Sequence, residues 1–372
     1  MAHFRNGRYP YHRGAILSHL ITKPQDVTPD YLTQLFRQQD LLPMGSVSSI
    51  HPTQVDSDNF AAEYQLGLRY EGTGNLPLPQ SLLLRISFAG KGWPNEPRFI
   101  SDIVPIMRAQ WPNRSLPFVT CYDAVFDAET KSSHLLREDL SETHFKASGD
   151  RKHYTYCREQ IMDALALVHA TWWEHPQLTT LVGPLVTANK LHSFLQTGQK
   201  NLPRLLETMD NALSVKQKTL LKLVPTKWPE QRQMRNLAGV GVTLAHHTAS
   251  PEVVLFPHDP TTNHVRLTTW EPWRVDNGTI DTAYYMAFWW SKAERDAWER
   301  PLLHHYYRQL ITYGVENYSW DDCLYDYRAS IFRLMLQLIQ SWKPIYQNNW
   351  YWEAMMRGLA AFEDWDCREL LS

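Results

Sequence analysis

The hydrophobic pattern of this chain changes its period once, near residue 154, and this change constrains the fold more than any other feature. Before it, apolar residues alternate with polar or small ones over 62–70, and a short, mostly apolar run covers 81–87. Alternation at period two predicts a half-buried strand. After it, apolar residues such as Ile161, Leu165 and Val168 recur at helical spacing, which predicts a helical region. The chain is therefore expected to be α+β, with a sheet first and helices after it.

Local signals fill in this outline. Thr28, Pro29 and Asp30 are typical of a helix start, with a capping hydroxyl, a proline in the first turn and an acid behind it. A further helix is predicted over 97–109, strands near 119–126 and 134–137, and more helices over 190–238 and from 280 onwards. A short hairpin is predicted from 253–256 and 265–268, with Asp259 and Pro260 in its turn.

Composition narrows the class of protein. Of 372 residues, 43% are hydrophobic and 20% are charged, which favours a packed core over disorder. A net charge of -2 gives no electrostatic reason to expect nucleic acid or a membrane surface as a partner. The four cysteines, at 121, 157, 323 and 367, have no metal-ligand spacing. With no apolar leader and no long apolar run, the sequence predicts a soluble cytoplasmic protein.

Four short motifs lie in the same order as in a known superfamily. Residues 135–144 read LLREDLSETH, 166–173 read ALVHATWW, 278–284 read GTIDTAY, and 314–318 read GVENY. Tyr306 and the DYR of 326–328 belong to the same pattern. Together they resemble the hinge, helix and C-terminal motifs of the aminoglycoside phosphotransferase, choline kinase and ecdysteroid kinase superfamily, over about residues 28–371.

The resemblance implies a two-lobed protein-kinase-like fold. We expect an N-terminal arm at 1–27, an N-lobe with a sheet and a helix at 28–137, and a helical C-lobe at 138–372. The altered catalytic hairpin would span 244–270.

The catalytic positions of that superfamily are altered. Its catalytic loop reads HGDxxxxN and is followed by a strand that ends in IDW. The loop aspartate accepts the proton of the substrate hydroxyl, and the asparagine and second aspartate hold Mg²⁺. Here the loop, 246–253, reads HHTASPEV, and the strand ends in TTW at 268–270. Thr248 therefore stands at the base position, and Val253 and Thr269 stand at the metal positions.

These replacements remove the chemistry that phosphoryl transfer needs. Val253 has no donor atom for a hard cation, and Thr248 and Thr269 offer neutral hydroxyls in place of carboxylates. Loss of a general base alone costs roughly two to four powers of ten in rate. Phosphoryl transfer relies mainly on positioning and charge neutralisation, so loss of the metal ligands is at least as serious. The sequence predicts no metal site and no ordinary kinase activity.

The nucleotide side is altered as well. Arg85 stands where the superfamily has its phosphate-binding lysine, and Glu96 is expected to be its ion-pair partner. Arginine is bulkier and planar, so the exchange is not conservative. Glu138, Asp139 and Leu140 in the hinge are candidate adenine contacts through their backbone; the alternative is a hinge without a ligand. The turn near 45–49 is the candidate phosphate-facing loop.

Several residues have two readings. His246 and His247, near Glu252 and Glu271, offer groups for proton transfer or a transition metal. Alternatively, His246 keeps a structural role and His247 fills the space of the missing glycine. His169 is expected to be a packed, hydrogen-bonded core histidine, and Asp281 to anchor loop backbone.

Three functional hypotheses follow. The first is a pseudokinase that binds a small molecule, a nucleotide such as ATP without Mg²⁺, or a protein partner. The second is a non-kinase enzyme acting on a small metabolite, with His246 or His247 as acid or base. The third is an unorthodox ATP-dependent kinase in which Glu252, Asp259 or Glu271 replaces the lost acids.

Overall fold

The chain divides into two compact units. The computed structural model describes residues 19–147, 155–343 and 349–371, so most of the predicted arm at 1–27 lies outside the described residues. The first unit runs to Phe145 and adds the segments Pro257–Asp259 and Thr268–Glu271. The second unit holds the remainder. The predicted N-lobe ended at residue 137; the compact unit also takes in the segment that follows, up to Phe145.

The first unit is built on a five-stranded antiparallel sheet in the order β1-β2-β3-β5-β4. Its strands are β1 (Ser46–Ser57), β2 (Ala61–Glu71), β3 (Ser81–Ser87), β4 (Cys121–Asp127) and β5 (Ser132–Glu138). In β3, Leu82, Leu84 and Ile86 are buried and the residues between them are half-buried, as alternation predicts. These strands and the first helix share one hydrophobic core.

Three helices accompany this sheet: α1 (Pro29–Gln38), α2 (Asn95–Arg98) and α3 (Val104–Gln110). Thr28 caps α1, since its side chain accepts the backbone N–H of Tyr31. The predicted helix at 97–109 is interrupted, because a π-helical turn, Phe99–Ile103, joins α2 to α3. The short strand β6 (His144–Lys146) ends the segment.

The second unit is mainly helical. Its helices are α4 (Arg158–Thr171), α5 (Ala188–Thr208), α6 (Val215–Leu223), α7 (Glu230–Ala238), α8 (Thr279–Ala287), α9 (Lys292–Thr312), α10 (Trp320–Ser341) and α11 (Asn349–Asp364). Ser214, Ser291 and Ser319 each form a capping box at a helix start. Among the largest fully buried side chains of this unit are Trp172 and Trp290.

Two small strand pairs position the loop of interest. β7 (Thr243–Ala245) pairs antiparallel with β10 (Arg274–Asp276), and β8 (Val254–Pro257) pairs antiparallel with β9 (Arg266–Leu267). The predicted hairpin is therefore confirmed, with its first strand shifted by one residue and its second strand shortened. The residues between β7 and β8 form the loop 246–253, which the pairing holds at both ends.

No helix in the described part of the chain is long and apolar enough to cross a membrane. The four cysteines are free thiols: Cys121, Cys323 and Cys367 are buried, and Cys157 is half-buried. Burial raises the pKa of these three buried thiols, so none of the three is a ready nucleophile.

Candidate functional site

The loop after β7 is held by a single buried carboxylate. Asp281, fully buried in the first turn of α8, accepts the backbone N–H of His246 through Oδ2 and that of His247 through Oδ1, both at 2.6 Å. Its Oδ2 also lies 3.0 Å from Nε2 of His169, whose Nδ1 lies 2.8 Å from the hydroxyl of Tyr306. The structure thus agrees with both predictions: Asp281 anchors the loop backbone, and His169 is a packed, hydrogen-bonded core histidine.

This arrangement is electrostatically consistent. Burial raises the pKa of the Asp281 carboxyl, but the hydrogen bond from His169 and the charge interactions with His169, His246 and His247 together outweigh burial and hold the pKa below its ordinary value. An ionised carboxylate can accept three N–H groups, which satisfies donors that would otherwise be buried without a partner.

His247 is buried in an unusual backbone conformation. It is 1% exposed and has φ +75°, in the left-handed region that favours glycine. Its Nε2 lies 3.0 Å from Oδ2 of Asp276, and Nη2 of Arg274 lies 2.6 Å from both ring nitrogens. A neutral ring that donates from Nε2 to Asp276 and accepts at Nδ1 from Arg274 satisfies two of these contacts; in the third, Nη2 of Arg274 and Nε2 of His247 are both donors.

The titration of His247 follows from these neighbours. Burial lowers its pKa, and the carboxylate of Asp276 compensates only in part, so the pKa stays below its ordinary value and the ring is neutral at pH 7. The pKa of Asp276 is held far below its ordinary value, because its hydrogen bond with His247 and its charge interactions with Arg333 and Arg274 outweigh burial. His247 contacts Asp276 and Arg274, so it does more than fill the space of a glycine.

The remaining loop positions differ in exposure and in donor atoms. Thr248 is half-buried, and within the described residues its hydroxyl makes a long 3.4 Å contact with Nδ1 of His246. Val253 is buried in a 3-10 turn, Pro251–Val253, and Glu252 is exposed. Thr248 thus offers a neutral hydroxyl and the Val253 side chain offers no oxygen, so neither side chain supplies a carboxylate or amide ligand for a hard cation.

Thr269 belongs to the first unit and is exposed, with φ +61°. The next residue, Trp270, is buried and stacks on Phe99 with ring centroids 4.0 Å apart. Two residues with strained left-handed backbones therefore stand at two altered positions of the resemblance, His247 and Thr269. Strain of this kind costs about 1–3 kcal/mol and is commonest at functional sites.

Glu271 has a carboxyl group with an altered affinity for protons. Burial and the nearby charge of Glu96 raise its pKa to about 7, against smaller opposing effects from the backbone N–H of Glu96 and the charge of Arg85. Its backbone carbonyl accepts a 2.8 Å hydrogen bond from the side chain of Asn95. A carboxyl group that titrates near neutral pH is suited to proton transfer.

The predicted ion pair of Arg85 with Glu96 is wrong. Both side chains are described, and no ion pair joins them. Glu96 is 8% exposed and lies beside Glu271, while Arg85 interacts electrostatically with Glu271 and Asp58. The carboxylates that interact with Arg85 are therefore those of Glu271 and Asp58, and not that of Glu96.

In the turn between β1 and β2, the side chain of Asp58 accepts backbone hydrogen bonds from the residues that follow it. This turn lies at 58–60, beyond the predicted phosphate-facing turn at 45–49, which instead leads into β1. Oδ1 of Asp58 accepts the backbone N–H of Phe60 at 2.6 Å and that of Ala61 at 2.8 Å. These bonds, with a smaller contribution from Arg85, hold the pKa of Asp58 below its ordinary value.

The hinge candidates have structural partners. Glu138 accepts the backbone N–H of Thr120 through its side chain at 3.0 Å, and the carbonyl of Leu140 accepts N–H groups of the turn that follows. Between them Asp139 accepts from Gln65 and Ser81, each at 2.7 Å. Sequence reasoning assigned Asp139 a backbone contact only, yet its side chain ties the hinge to β2 and β3.

The sequence interpretation missed the charged residues around His247. Arg274, Asp276 and Arg333 come from β10 and α10 and form one charged cluster with it, in which Asp276 and Arg333 are half-buried and Arg274 is exposed. In the described ranges, no group of three or more His, Cys, Asp or Glu residues could hold a metal ion.

Comparison with known proteins relates this architecture to small-molecule kinases. No protein-family model matches the chain, and no curated protein matches it in sequence. Among solved structures, a GDP complex of an aminoglycoside 2'-phosphotransferase-IIIa variant is 12% identical, covers 91% of this chain and 97% of its own, and has a TM-score of 0.50. An aminoglycoside phosphotransferase from Alicyclobacillus acidocaldarius is 13% identical, covers 95% and 98%, and also has a TM-score of 0.50. The chain therefore has the α+β, kinase-like fold of the aminoglycoside phosphotransferases, as its motifs predict.

Proposed function

We propose that this protein is a pseudokinase that uses the kinase-like fold to bind a small molecule, or a nucleotide without magnesium, and does not transfer phosphate by the ordinary route. One observation carries the proposal: Thr248, Val253 and Thr269 stand where the resemblance places a base and two metal ligands. A triphosphate needs its charge neutralised by a divalent cation during transfer, and these side chains supply no anionic oxygen to hold one.

Two structural features support this proposal from different sides. The left-handed backbone at His247 and Thr269 indicates that the altered segments keep a functional-site geometry, which favours retained binding over general decay. The turn at 58–60 already holds a carboxylate on its backbone N–H groups. In kinases a loop of this kind covers the phosphates, so an occupied loop disfavours a triphosphate.

Restoring the lost residues tests the proposal. We compare the wild-type protein with the triple variant Thr248→Asp, Val253→Asn, Thr269→Asp. Thermal unfolding is measured with ATP, with and without Mg²⁺. A ligand that binds only the folded state raises the melting temperature, so the wild-type protein should show no magnesium-dependent shift and the variant should gain one.

The matched control carries the same chemical changes at exposed positions: Thr53→Asp, Val55→Asn and Thr262→Asp. It should behave like the wild-type protein. A magnesium-dependent shift in the wild-type protein, together with ATP turnover, would reject the proposal.

A second candidate function, acid–base chemistry on a small metabolite, is favoured by Glu271. Its carboxyl, with a pKa raised to about 7, can both accept and donate a proton at neutral pH. The test is incubation with a metabolite mixture without ATP. A change in one component that is lost in Glu271→Gln and kept in the exposed-site variant Glu142→Gln supports this candidate, and an unchanged mixture rejects it.

A further inference from the structure

A small cavity lies inside the helical unit, and one of its lining residues, Asp276, is hydrogen-bonded to His247 of the altered loop. It is about 20 Å³ in volume and is lined by residues of α5, α7, β10, α8 and α10 and of the short segments before α7 and α8. Its lining residues include Trp228, Arg232, Asn277 and Arg333. A cavity of this size holds a water molecule or one small ligand group, and not a whole metabolite.

Four side chains around this cavity carry a buried N–H group that has no acceptor among the described residues. The atoms are Nε1 of Trp228, Nε of Arg232, Nδ2 of Asn277 and Nη1 of Arg333. Trp228, Arg232 and Asn277 are 6%, 4% and 3% exposed, so bulk water does not satisfy them. A buried donor without a partner costs about 1–3 kcal/mol, and four such donors at one place call for an explanation.

The identity of the donors is well defined. Oδ1 of Asn277 accepts the backbone N–H and the hydroxyl of Thr279, at 2.8 and 2.9 Å, which assigns the free end of its amide as the nitrogen. The indole of Trp228 and the two guanidinium groups can only donate. A group that satisfies this set must therefore offer acceptors.

The charges around the cavity favour an anion. Arg232 is paired with Asp326 at 3.0 Å, but Arg333 makes no ion pair in the described part of the chain and instead lies over the ring of Phe194 at 4.5 Å. Asp276, the carboxylate at the lining, is hydrogen-bonded to His247 and interacts with the charges of Arg333 and Arg274. Two guanidinium charges thus share one carboxylate, which leaves an excess of positive charge that an anion would offset.

We propose that this cavity binds one small oxyanion group, a carboxylate or a phosphate, held by Trp228, Asn277, Arg232 and Arg333. The proposal goes beyond the function proposed above and does not depend on it, because a chain that turned over ATP would carry the same cavity. A cation is excluded as the occupant by the set of donors, and a neutral water is the competing occupant.

Formate and inorganic phosphate are the probes for this site. Each is titrated against the full-length protein at constant ionic strength, with chloride as the reference anion, and thermal unfolding and calorimetric binding are measured. We expect saturable stabilisation by one or both anions; the stronger of the two identifies the source as carboxylate or phosphate.

Two variants test the donors separately. Trp228→Phe removes the indole N–H, and Arg333→Gln removes the charge; each should weaken anion binding roughly tenfold or more, because hydrogen bonds to charged groups are the stronger class. The controls are Trp172→Phe, which removes a fully buried indole N–H that also lacks a partner but does not line the cavity, and Arg98→Gln, an exposed arginine.

The outcomes separate clearly. Saturable binding that is lost in both cavity variants and kept in both controls supports the site. Stabilisation that does not saturate, that is equal for chloride, or that survives in Trp228→Phe and Arg333→Gln would overturn it and leave water as the occupant. Far-ultraviolet circular dichroism of each variant without anion identifies any loss that comes from misfolding, and either cavity variant is sufficient if the other does not fold.

Discussion

The backbone N–H of His247 donates a 2.6 Å hydrogen bond to Oδ1 of Asp281, a residue from a helix that begins more than thirty positions later in the chain. Through this bond, and its equivalent from His246, a buried carboxylate fixes the course of the main chain in the loop after β7. Because the contact is made to backbone atoms, it is independent of which side chains the loop carries.

Asp281→Asn should therefore destabilise the protein strongly. The amide can accept through one oxygen only, and its NH₂ group would face a backbone N–H. We expect a loss of about 3–5 kcal/mol in the free energy of unfolding, the cost of removing one partner of a buried ionic network. Asp296→Asn is the control, since Asp296 forms an exposed ion pair with Lys292 and should cost at most about 1 kcal/mol. Equal losses in chemical denaturation would contradict the anchoring role.

Gly278→Ala should disturb the hydrogen-bond network that connects Asp281, His169 and Tyr306. A Cβ at this position would lie 2.5 Å from the hydroxyl of Tyr306 and 2.8 Å from Nδ1 of His169, both buried. Overpacking of this kind costs about 1–3 kcal/mol. Gly67→Ala is the control, because its nearest atom would lie at 3.7 Å. If both variants melt at the same temperature, the close approach at Gly278 is unimportant.

The strained backbone at Thr269 predicts that asparagine is a more stable replacement than alanine at this position. At φ +61° a β-branched residue is disfavoured, whereas asparagine tolerates the left-handed region. Thr269→Asn should be more stable than Thr269→Ala by about 1 kcal/mol, measured by denaturant unfolding. A comparison at one site keeps the surroundings constant, and an alanine variant at least as stable as the asparagine variant would argue against strain.

The raised pKa of Glu271 predicts that the free energy of unfolding depends on pH. Its pKa is raised from 4.5 to about 7 in the folded protein, so between these values the folded state holds a proton that the unfolded chain has lost. The free energy of unfolding should therefore fall as pH rises through 4.5 to 7. Glu271→Gln should flatten this slope, and Glu142→Gln should leave it unchanged. Because Glu271 is partly exposed, solvent screening reduces the size of the effect.

The turn at 58–60 predicts a gain of anion binding. Asp58→Ala removes the carboxylate that occupies the N–H groups of Phe60 and Ala61 and interacts with Arg85. We expect tighter binding of ATP or pyrophosphate without Mg²⁺, measured by calorimetry. Asp56→Ala, on the same exposed stretch, is the control. Unchanged affinity in Asp58→Ala would mean that this turn is not a phosphate loop.

Much of the sheet was predictable from the sequence because its strands bury one face. β2 and β3 alternate clearly, and their residue ranges differ little from the prediction. β1, over Ser46–Ser57, was not predicted along its length, because most of it is exposed and carries no hydrophobic signal. The π-helical turn at Phe99–Ile103 was not predictable, since its apolar pattern matches that of a continuous helix.

The candidate site was predicted less completely, and the reason is distance along the chain. Motif reasoning placed His246, Asp281 and His169, which belong to one network. It missed Arg333, which joins the cluster from α10, although a charged residue among the apolar residues of α10 was an available signal. The Arg85–Glu96 pair failed because Glu96 instead lies beside a second acid, which no local pattern reveals.

The left-handed main chain at His247 and Thr269 limits which residues either position tolerates. At both, the main chain has a conformation that suits glycine, asparagine or aspartate better than the residue present. The cost of a substitution there is therefore set first by the torsion angles and only then by the contacts of the new side chain.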